Sequence, residues 1–125
     1  MATLRGTYIF SNDGFTVGAG GEQQPFALSG IESYDGAGTM TGIFSGGANG
    51  VIDEDVFYTG TYTVNADCTS ELTTVDPVTG ESHYDQFVAP SGDEFQFVQT
   101  DEGVVTAGSE RRVSVEIITF SAERP

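Results

Sequence analysis

Residues 56–100 read VFYTGTYTVNADCTSELTTVDPVTGESHYDQFVAPSGDEFQFVQT, and the fold class can be predicted from this segment. It contains four runs rich in Thr, Val, Tyr and Phe, separated by three short segments in which Gly, Pro, Asn and Asp are concentrated. Runs of β-branched and aromatic residues between turn-forming residues predict antiparallel strands joined by hairpins. The rest of the chain continues this pattern without a sustained helical spacing of apolar residues. The sequence therefore predicts an all-β protein.

The same pattern predicts about eight strands along the whole chain. They cover residues 4–11, 25–34, 39–45, 56–65, 68–76, 81–89, 94–100 and 104–120. Longer connections are expected at 14–24 and 46–55. Eight antiparallel strands with one apolar face and no covering helix either close into a barrel or split into a sandwich. The sequential meander favours a single antiparallel up-and-down barrel over residues 1–125, with a β-sandwich as the alternative. A barrel of this size is filled by side chains or holds one small ligand.

The charge of the chain excludes several kinds of partner. Among 125 residues there are 19 acidic side chains and four arginines, with no lysine, and the formal net charge is −15. Such a surface repels phosphate backbones and anionic lipid, so we expect neither nucleic-acid nor membrane binding. The beginning of the sequence lacks a basic and then apolar signal segment, which predicts a cytoplasmic protein, or a secreted one if a signal peptide has been removed. The sequence also leaves open whether two copies of the chain pair through edge strands to form a homodimer.

Hairpin register predicts which side chains face the interior. We take 66–67, 77–80 and 90–93 as the turns and pair the residues on either side of each. Because side chains alternate in direction along a strand, the three pairings agree on one largely apolar face. Its members are Tyr58, Tyr62, Val64, Glu71, Val75, Tyr84, Gln86, Val88, Phe95, Phe97 and Gln99. The early strands add Leu4, Tyr8, Phe10, Phe26, Leu28, Glu32, Met40 and Phe44, and the last strand adds Val105, Ala107, Arg111 and Val113.

Glu71 is the strongest candidate catalytic residue, because this register places it between Tyr62 and Gln86 in an otherwise apolar row. Burial raises a carboxyl pKa, and a raised pKa suits a general acid or base at neutral pH. We therefore predict Glu71, Tyr62 and Tyr84 as catalytic. A buried polar network or a solvated residue at the barrel mouth is the alternative. The predicted ligand-binding residues are Tyr58, Gln86, Phe95, Phe97, Gln99, Arg111, Glu32 and Phe44.

Two of these predictions concern charged groups on strands outside the three hairpins used to derive the register. Glu32 is a second inward carboxyl. Arg111 would be the only inward cation and would need an anion such as a carboxylate or a ligand group; the alternative is an arginine at a strand end that reaches solvent.

Other chemistry finds little support in the sequence. His83 and Asp85 share the outward direction with Cys68, which argues against a nucleophilic triad. One His and one Cys do not make a zinc site. Residues 53–55 are acidic but lack the spacing of a dedicated calcium loop. The sequence predicts neither a metal nor a cofactor.

Three segments, 6–8, 58–69 and 97–101, resemble a group of small bacterial β-proteins whose function is uncharacterised. In architecture the predicted barrel is similar to the allene oxide cyclase, dirigent and lipocalin-type barrels. That similarity implies a barrel that encloses a hydrophobic molecule, in some cases to cyclise it without a cofactor.

The leading hypothesis is a cofactor-independent cyclase or isomerase acting on a polyketide, polyene or terpenoid-like molecule held inside the barrel, where confinement favours a reactive conformer. The alternative is a non-catalytic carrier of a similar hydrophobic ligand. A third possibility is an interaction module with a solid core.

Overall fold

In the computed structural model, which describes residues 4–122, eight strands form a closed antiparallel barrel in chain order. They are β1 (Arg5–Val17), β2 (Gln23–Asp35), β3 (Thr39–Ala48), β4 (Val51–Val64), β5 (Thr69–Asp76), β6 (Gly80–Val88), β7 (Glu94–Gln99) and β8 (Val104–Ser114). Each strand pairs with the next, and β8 closes the barrel against β1. The predicted up-and-down barrel is confirmed, and the sandwich alternative is wrong. Within residues 4–122 there is no helix of the length and hydropathy needed to cross a membrane.

The two long connections predicted from the sequence are instead mostly strand. Pairing of β1 with β2 continues to Val17 opposite Gln23. Strands β3 and β4 meet at Asn49-Gly50, where both residues have positive φ angles of 51° and 85°. Two successive positive φ angles fit the tight hairpin turn that an Asn-Gly pair favours. The last strand is shorter than the predicted strand 104–120, and it ends at Ser114.

The predicted direction of β5 is wrong because the turn before it is one residue longer than the prediction assumed. Thr69 and Asn65 close this hairpin, with 66–68 between them and Cys68 at a φ of 70°. A shift of one residue turns every side chain of a strand to the other face. Leu72 therefore lies inside and is 4% exposed, whereas Glu71 lies on the outer surface.

Strand β6 returns to the predicted phase. The next turn closes with Asp76 opposite Gly80, one residue before the predicted pair, so the second error cancels the first. The predicted turn from β6 to β7 is confirmed, since Val88 lies opposite Phe95. The faces predicted for β4, β6 and β7 are therefore confirmed.

The predicted direction of β8 is also wrong. The backbone N of Val104 donates to the carbonyl of Asp101, so the turn contains two residues and not the predicted three. The even-numbered residues of β8 consequently face inward. Glu110 is buried opposite Phe95, while Arg111 is exposed opposite Glu94.

One half of the barrel interior is solidly packed. Its ring contacts centre on Tyr34, which meets Tyr8 at 5.5 Å, Tyr62 at 5.0 Å and Phe95 at 5.9 Å between ring centroids. The Tyr62 hydroxyl donates to the Leu4 carbonyl at 2.7 Å. These large side chains close the barrel at the end that holds the β2–β3, β4–β5 and β6–β7 turns. The segment after β8 packs against the outer face of β1 and β2 near the same end, where Ile118 N donates to Ser33 Oγ at 2.7 Å and the Glu116 carbonyl accepts from Thr7 Oγ1 at 2.8 Å.

Candidate functional site

The other half of the barrel contains a cavity of about 440 Å³. It opens among the β1–β2, β3–β4, β5–β6 and β7–β8 turns. Its walls are mostly apolar and aromatic: Phe10, Phe26, Leu28, Phe44, Leu72, Tyr84 and Phe97. Its floor, against the packed half, is polar and consists of Glu32, Tyr58, Gln86 and Glu110.

Glu32 organises the floor by accepting two tyrosine hydroxyls. Tyr34 donates to its Oε1 at 2.8 Å, and Tyr58 makes a short hydrogen bond to its Oε2. Gln86 Nε2 donates to the Tyr34 hydroxyl at 3.0 Å, and Ser70 Oγ donates to Gln86 Oε1 at 2.7 Å. The network thus joins β2, β4, β5 and β6, which fixes the position of the Glu32 carboxylate.

Glu110 on β8 is the second carboxyl of the floor and is 4% exposed. Burial raises the pKa of Glu110 well above its ordinary value, and the charge of Glu32 and a hydrogen bond to it raise this pKa further. Two adjacent buried carboxyls share one proton because both cannot ionise together. Burial and the neighbouring Glu32 carboxyl therefore both favour the protonated form of Glu110. Its Oε1 atom has no hydrogen-bond partner among the described residues.

The tyrosines of the site act as hydrogen-bond donors. Burial raises the pKa of Tyr34 and Tyr58 well above the ordinary tyrosine value, and the neighbouring carboxyls raise both further. Tyr84 lies on the cavity wall, and burial raises its pKa to about 12. All three phenols hence keep their protons at neutral pH.

Two glycines shape the cavity by making room for aromatic rings. A Cβ at Gly42 would lie 2.6 Å from Cζ of Tyr58, so the missing side chain lets this ring lean across β3 towards Glu32. A Cβ at Gly108 would lie 2.6 Å from Cζ of Phe97. Inward glycines therefore position the rings that line the cavity.

Acidic side chains surround the mouth of the cavity: Asp53, Asp76, Glu81 and Asp101. Asp101 is held by Gln99, whose Nε2 donates to its Oδ2 at 2.8 Å, and by His83, whose Nδ1 lies 2.7 Å from its Oδ1. The hydrogen bond to Asp101 raises the pKa of His83, which lies on the outer side of β6. Asp76 caps the next turn, accepting from Val78 N and Thr79 N. These acids are thus already hydrogen-bonded or lie at the solvent boundary.

The structure brings together most of the residues that the sequence analysis selected for a ligand site. The following line the cavity: Glu32, Phe44, Tyr58, Tyr84, Gln86, Phe97 and Gln99. Tyr62 and Phe95, in contrast, belong to the packed half.

Glu71 and Arg111 are corrections to the sequence analysis. Both lie on the outer wall, Glu71 opposite Asp85 and Arg111 opposite Glu94, because the turns before β5 and β8 each differ by one residue from the predicted length. Arg112, the next residue, is half-buried, and its guanidinium lies 5.4 Å from the Tyr8 ring centroid. It also contacts Asp93 at 2.7 Å, at the closed end and away from the cavity.

Glu110 is the site residue that the sequence analysis missed. A two-residue turn at Glu102-Gly103 would have revealed it, because that turn directs the even-numbered residues of β8 inward. In residues 4–122, no group of three or more His, Cys, Asp or Glu side chains is arranged to hold a metal ion, and this includes the acidic run at 53–55.

Comparisons with known proteins find similar solved structures but no matching family. No family model matches the chain, and no curated protein does. Among solved structures, the chain is similar to a redesigned β-barrel, mFAP1, bound to DFHBI, with a TM-score of 0.59 and 17% identity over 87% of this chain and 94% of that chain. It is also similar to a fluorescence-activating β-barrel that was designed de novo, with a TM-score of 0.57 and 15% identity over 86% of this chain and 92% of that one.

A further redesigned barrel, mFAP0, also bound to DFHBI, matches with a TM-score of 0.55 and 17% identity, over 87% of this chain and 98% of that chain. Likeness at this identity supports the barrel fold alone. The resemblance to allene oxide cyclase, dirigent and lipocalin-type barrels accordingly stays at the level of architecture.

Proposed function

We propose that this barrel binds one small, largely apolar molecule in its cavity. The observation that carries the proposal is the cavity itself, about 440 Å³ with aromatic walls and a polar floor. Ligand pockets of proteins have volumes of roughly 300–1,000 Å³ and combine apolar walls with a few placed polar groups. The unpartnered Oε1 of Glu110 adds support, because a buried acceptor without a donor is costly and a ligand can supply the donor.

The designed barrels support this proposal at the level of architecture. Two of them are described as bound to DFHBI, so a closed barrel of similar topology has room for a small molecule. This chain is only 15–17% identical to them in sequence, so the class of its ligand is inferred from its own side chains.

A tryptophan at the mouth tests the proposal. Ala48 lies at the end of β3 and lines the cavity, whereas Ala107 on β8 lies on the outer wall. We expect Nile red, a neutral apolar fluorophore, to bind saturably at one site per chain. Ala48→Trp should weaken this binding roughly tenfold or more, about 1.4 kcal/mol, because the indole obstructs the mouth. Ala107→Trp, the matched control, should leave it unchanged. Equal effects of the two variants, or no saturable binding, would contradict the proposal.

A second candidate function is proton-transfer catalysis, as in a cofactor-independent cyclase or isomerase acting on a polyketide, polyene or terpenoid-like molecule. The Glu110–Glu32 pair favours it, because a carboxylic acid with a raised pKa can protonate a bound molecule while a neighbouring carboxylate accepts a proton. Tyr58 and Tyr84 would orient the reacting groups. Glu71 has no part in this proposal, since it lies outside the barrel.

Incorporation of deuterium from the solvent into the ligand distinguishes a catalyst from a carrier. Native mass spectrometry of the purified protein and extraction would first identify a copurifying molecule. In D₂O, a proton-transferring barrel should introduce deuterium into that molecule, and Glu110→Gln should abolish the exchange while the molecule still binds. Exchange at the same rate in Glu110→Gln would remove Glu110 from the chemistry. Binding without any exchange or conversion would favour a carrier.

A further inference from the structure

Six carboxyl side chains among the described residues line the cavity, whereas no arginine, lysine or histidine of those residues does: Glu32, Asp53, Asp76, Glu81, Asp101 and Glu110. His83, on the outer side of β6, lies 2.7 Å from Asp101 and 3.2 Å from Glu81, so when protonated it offsets charge at the mouth and not at the floor. Arg5 and Arg112 are at the closed end, and Arg111 is on the outer wall. A cleft lined by one sign of charge with low-dielectric walls attracts ligands of the opposite sign.

The floor carries an uncompensated negative charge. Both oxygens of Glu32 accept tyrosine hydroxyls, as those of an ionised carboxylate do, and burial together with the charge of Glu32 raises the pKa of Glu110. The floor therefore carries a negative charge, and none of the described side chains that line it is a cation. A buried charge without a partner is strongly unfavourable, and a cation in contact with it relieves the cost.

One buried atom of the floor lacks a hydrogen-bond donor. Glu110 lines the cavity and is 4% exposed, and its buried Oε1 accepts no hydrogen bond from the described residues. This oxygen atom can accept a hydrogen bond from a ligand. A carboxylate or phosphate ligand offers no donor and would add a second negative charge beside Glu32. A neutral hydroxyl offers a donor but leaves the charge uncompensated, whereas an ammonium group meets both needs.

The walls suit the remainder of such a molecule. Phe10, Phe44, Tyr58 and Phe97 surround the space above the floor. The faces of aromatic rings attract cations, and desolvation strengthens this attraction. The same rings offer apolar contact to the body of the ligand.

We propose that the ligand of this cavity is an apolar amine, whose ammonium group donates to Glu110 Oε1 and lies against the Glu110–Glu32 pair while its hydrocarbon body fills the aromatic walls. This inference rests on the proposed binding function and specifies the charge class of the ligand. It separates this barrel from carriers of fatty acids and other organic anions.

Three probes of the same shape test the proposal on the unaltered protein. They are 1-naphthylmethylamine, 1-naphthalenemethanol and 1-naphthoic acid, which at pH 7 are a cation, a neutral donor and an anion. We expect calorimetric titration to show that the amine binds about ten- to hundredfold more tightly than the alcohol, as a hydrogen bond to a charged group does relative to a neutral one. The acid should show no binding.

The salt dependence of binding distinguishes this site from general attraction of a cation to an acidic protein. Attraction to exposed charges is screened at 0.5 M NaCl, whereas a buried pair is screened much less. The preference for the amine should persist at 0.5 M NaCl. A preference that disappears would assign it to the surface and overturn the inference.

Paired variants locate the charge. Glu32→Gln with Glu110→Gln removes both floor acids, and Glu71→Gln with Glu94→Gln removes two exposed acids of the outer wall. The floor variant should bind the amine no more tightly than the alcohol, and the wall variant should keep the full preference. An unchanged preference in a folded floor variant would overturn the inference. If the floor variant does not fold, the three probes on the unaltered protein still decide.

Failure of this inference differs from failure of the proposed function. If Nile red binds but the alcohol or the acid binds as well as the amine, or the amine does not bind, the cavity holds a ligand of another charge class and only the inference is wrong. If neither Nile red nor any of the three probes binds, both proposals are wrong.

Discussion

Replacing Glu110 by Gln should stabilise the barrel at neutral pH and lose this advantage at acidic pH. Burial and Glu32 raise the pKa of Glu110 in the folded protein well above the ordinary value of 4.5. In the unfolded chain the same side chain ionises near that value. Between the two pKa values the folded state thus holds one proton more than the unfolded state, and stability falls as pH rises. The amide of Gln keeps the shape of the acid and a donor towards Glu32 but does not titrate.

The size of the effect follows from the single extra proton. One proton of difference changes the free energy of unfolding by about 1.4 kcal/mol per pH unit. From pH 5 to pH 7, the advantage of Glu110→Gln over the unaltered protein should therefore grow by up to about 2.7 kcal/mol. At pH 4, below the unfolded pKa, this contribution is absent.

Urea unfolding followed by far-ultraviolet circular dichroism at pH 4, 5, 6 and 7 measures the difference. Taking the difference between variant and unaltered protein cancels the titration of the other acids, which repel one another in a chain of net charge −15. Glu71→Gln, which removes an exposed acid, is the control and should show little dependence on pH. The reasoning is refuted if the advantage of Glu110→Gln is the same at pH 5 and pH 7, because Glu110 would then be ionised in the folded barrel.

Three further substitutions test the interior by urea unfolding at pH 7. Tyr58→Phe removes the hydroxyl that donates to Glu32 and should lower the free energy of unfolding by about 1–3 kcal/mol, the cost of a buried acceptor without its donor; no loss would contradict the hydrogen bond. Gly42→Ala places a Cβ 2.6 Å from the Tyr58 ring and should cost about 1–3 kcal/mol through overpacking, whereas a neutral effect would mean that the ring has room to move. Leu72→Ala should cost about 2–5 kcal/mol, whereas Val75→Ala, at a position 53% exposed, should change stability by about 0.5 kcal/mol or less. The reverse order would restore the register predicted from the sequence.

Much of the site could be predicted from the sequence because alternation is a local property. Along β2, the apolar residues and Glu32 follow a period of two between clear turns, so the inward direction of Glu32 required no knowledge of other strands. The same holds for the faces of β6 and β7, which are joined by a turn whose predicted length is confirmed. In these strands, local pattern and tertiary environment agree.

The errors came from turns whose length the sequence leaves ambiguous. Cys68 takes a positive φ of 70°, a conformation that residue type alone does not predict for cysteine. That one additional turn residue exchanged Glu71 for Leu72 as the inward residue of β5. At the last turn, an error of the same size exchanged Glu110 for Arg111, so that a carboxyl group was replaced by a guanidinium in the predicted site.

The all-β class, the sequential order of the strands and the aromatic interior could all be predicted from the sequence, because these properties depend on local propensity and short turns. The tertiary structure was needed to show that the barrel closes, that one half is packed around Tyr34 while the other holds a cavity, and that Glu32 and Glu110 both lie at its floor. Those features depend on the register of every hairpin summed around the barrel. A difference of one residue at a single turn decides whether a carboxyl group is inside or in water.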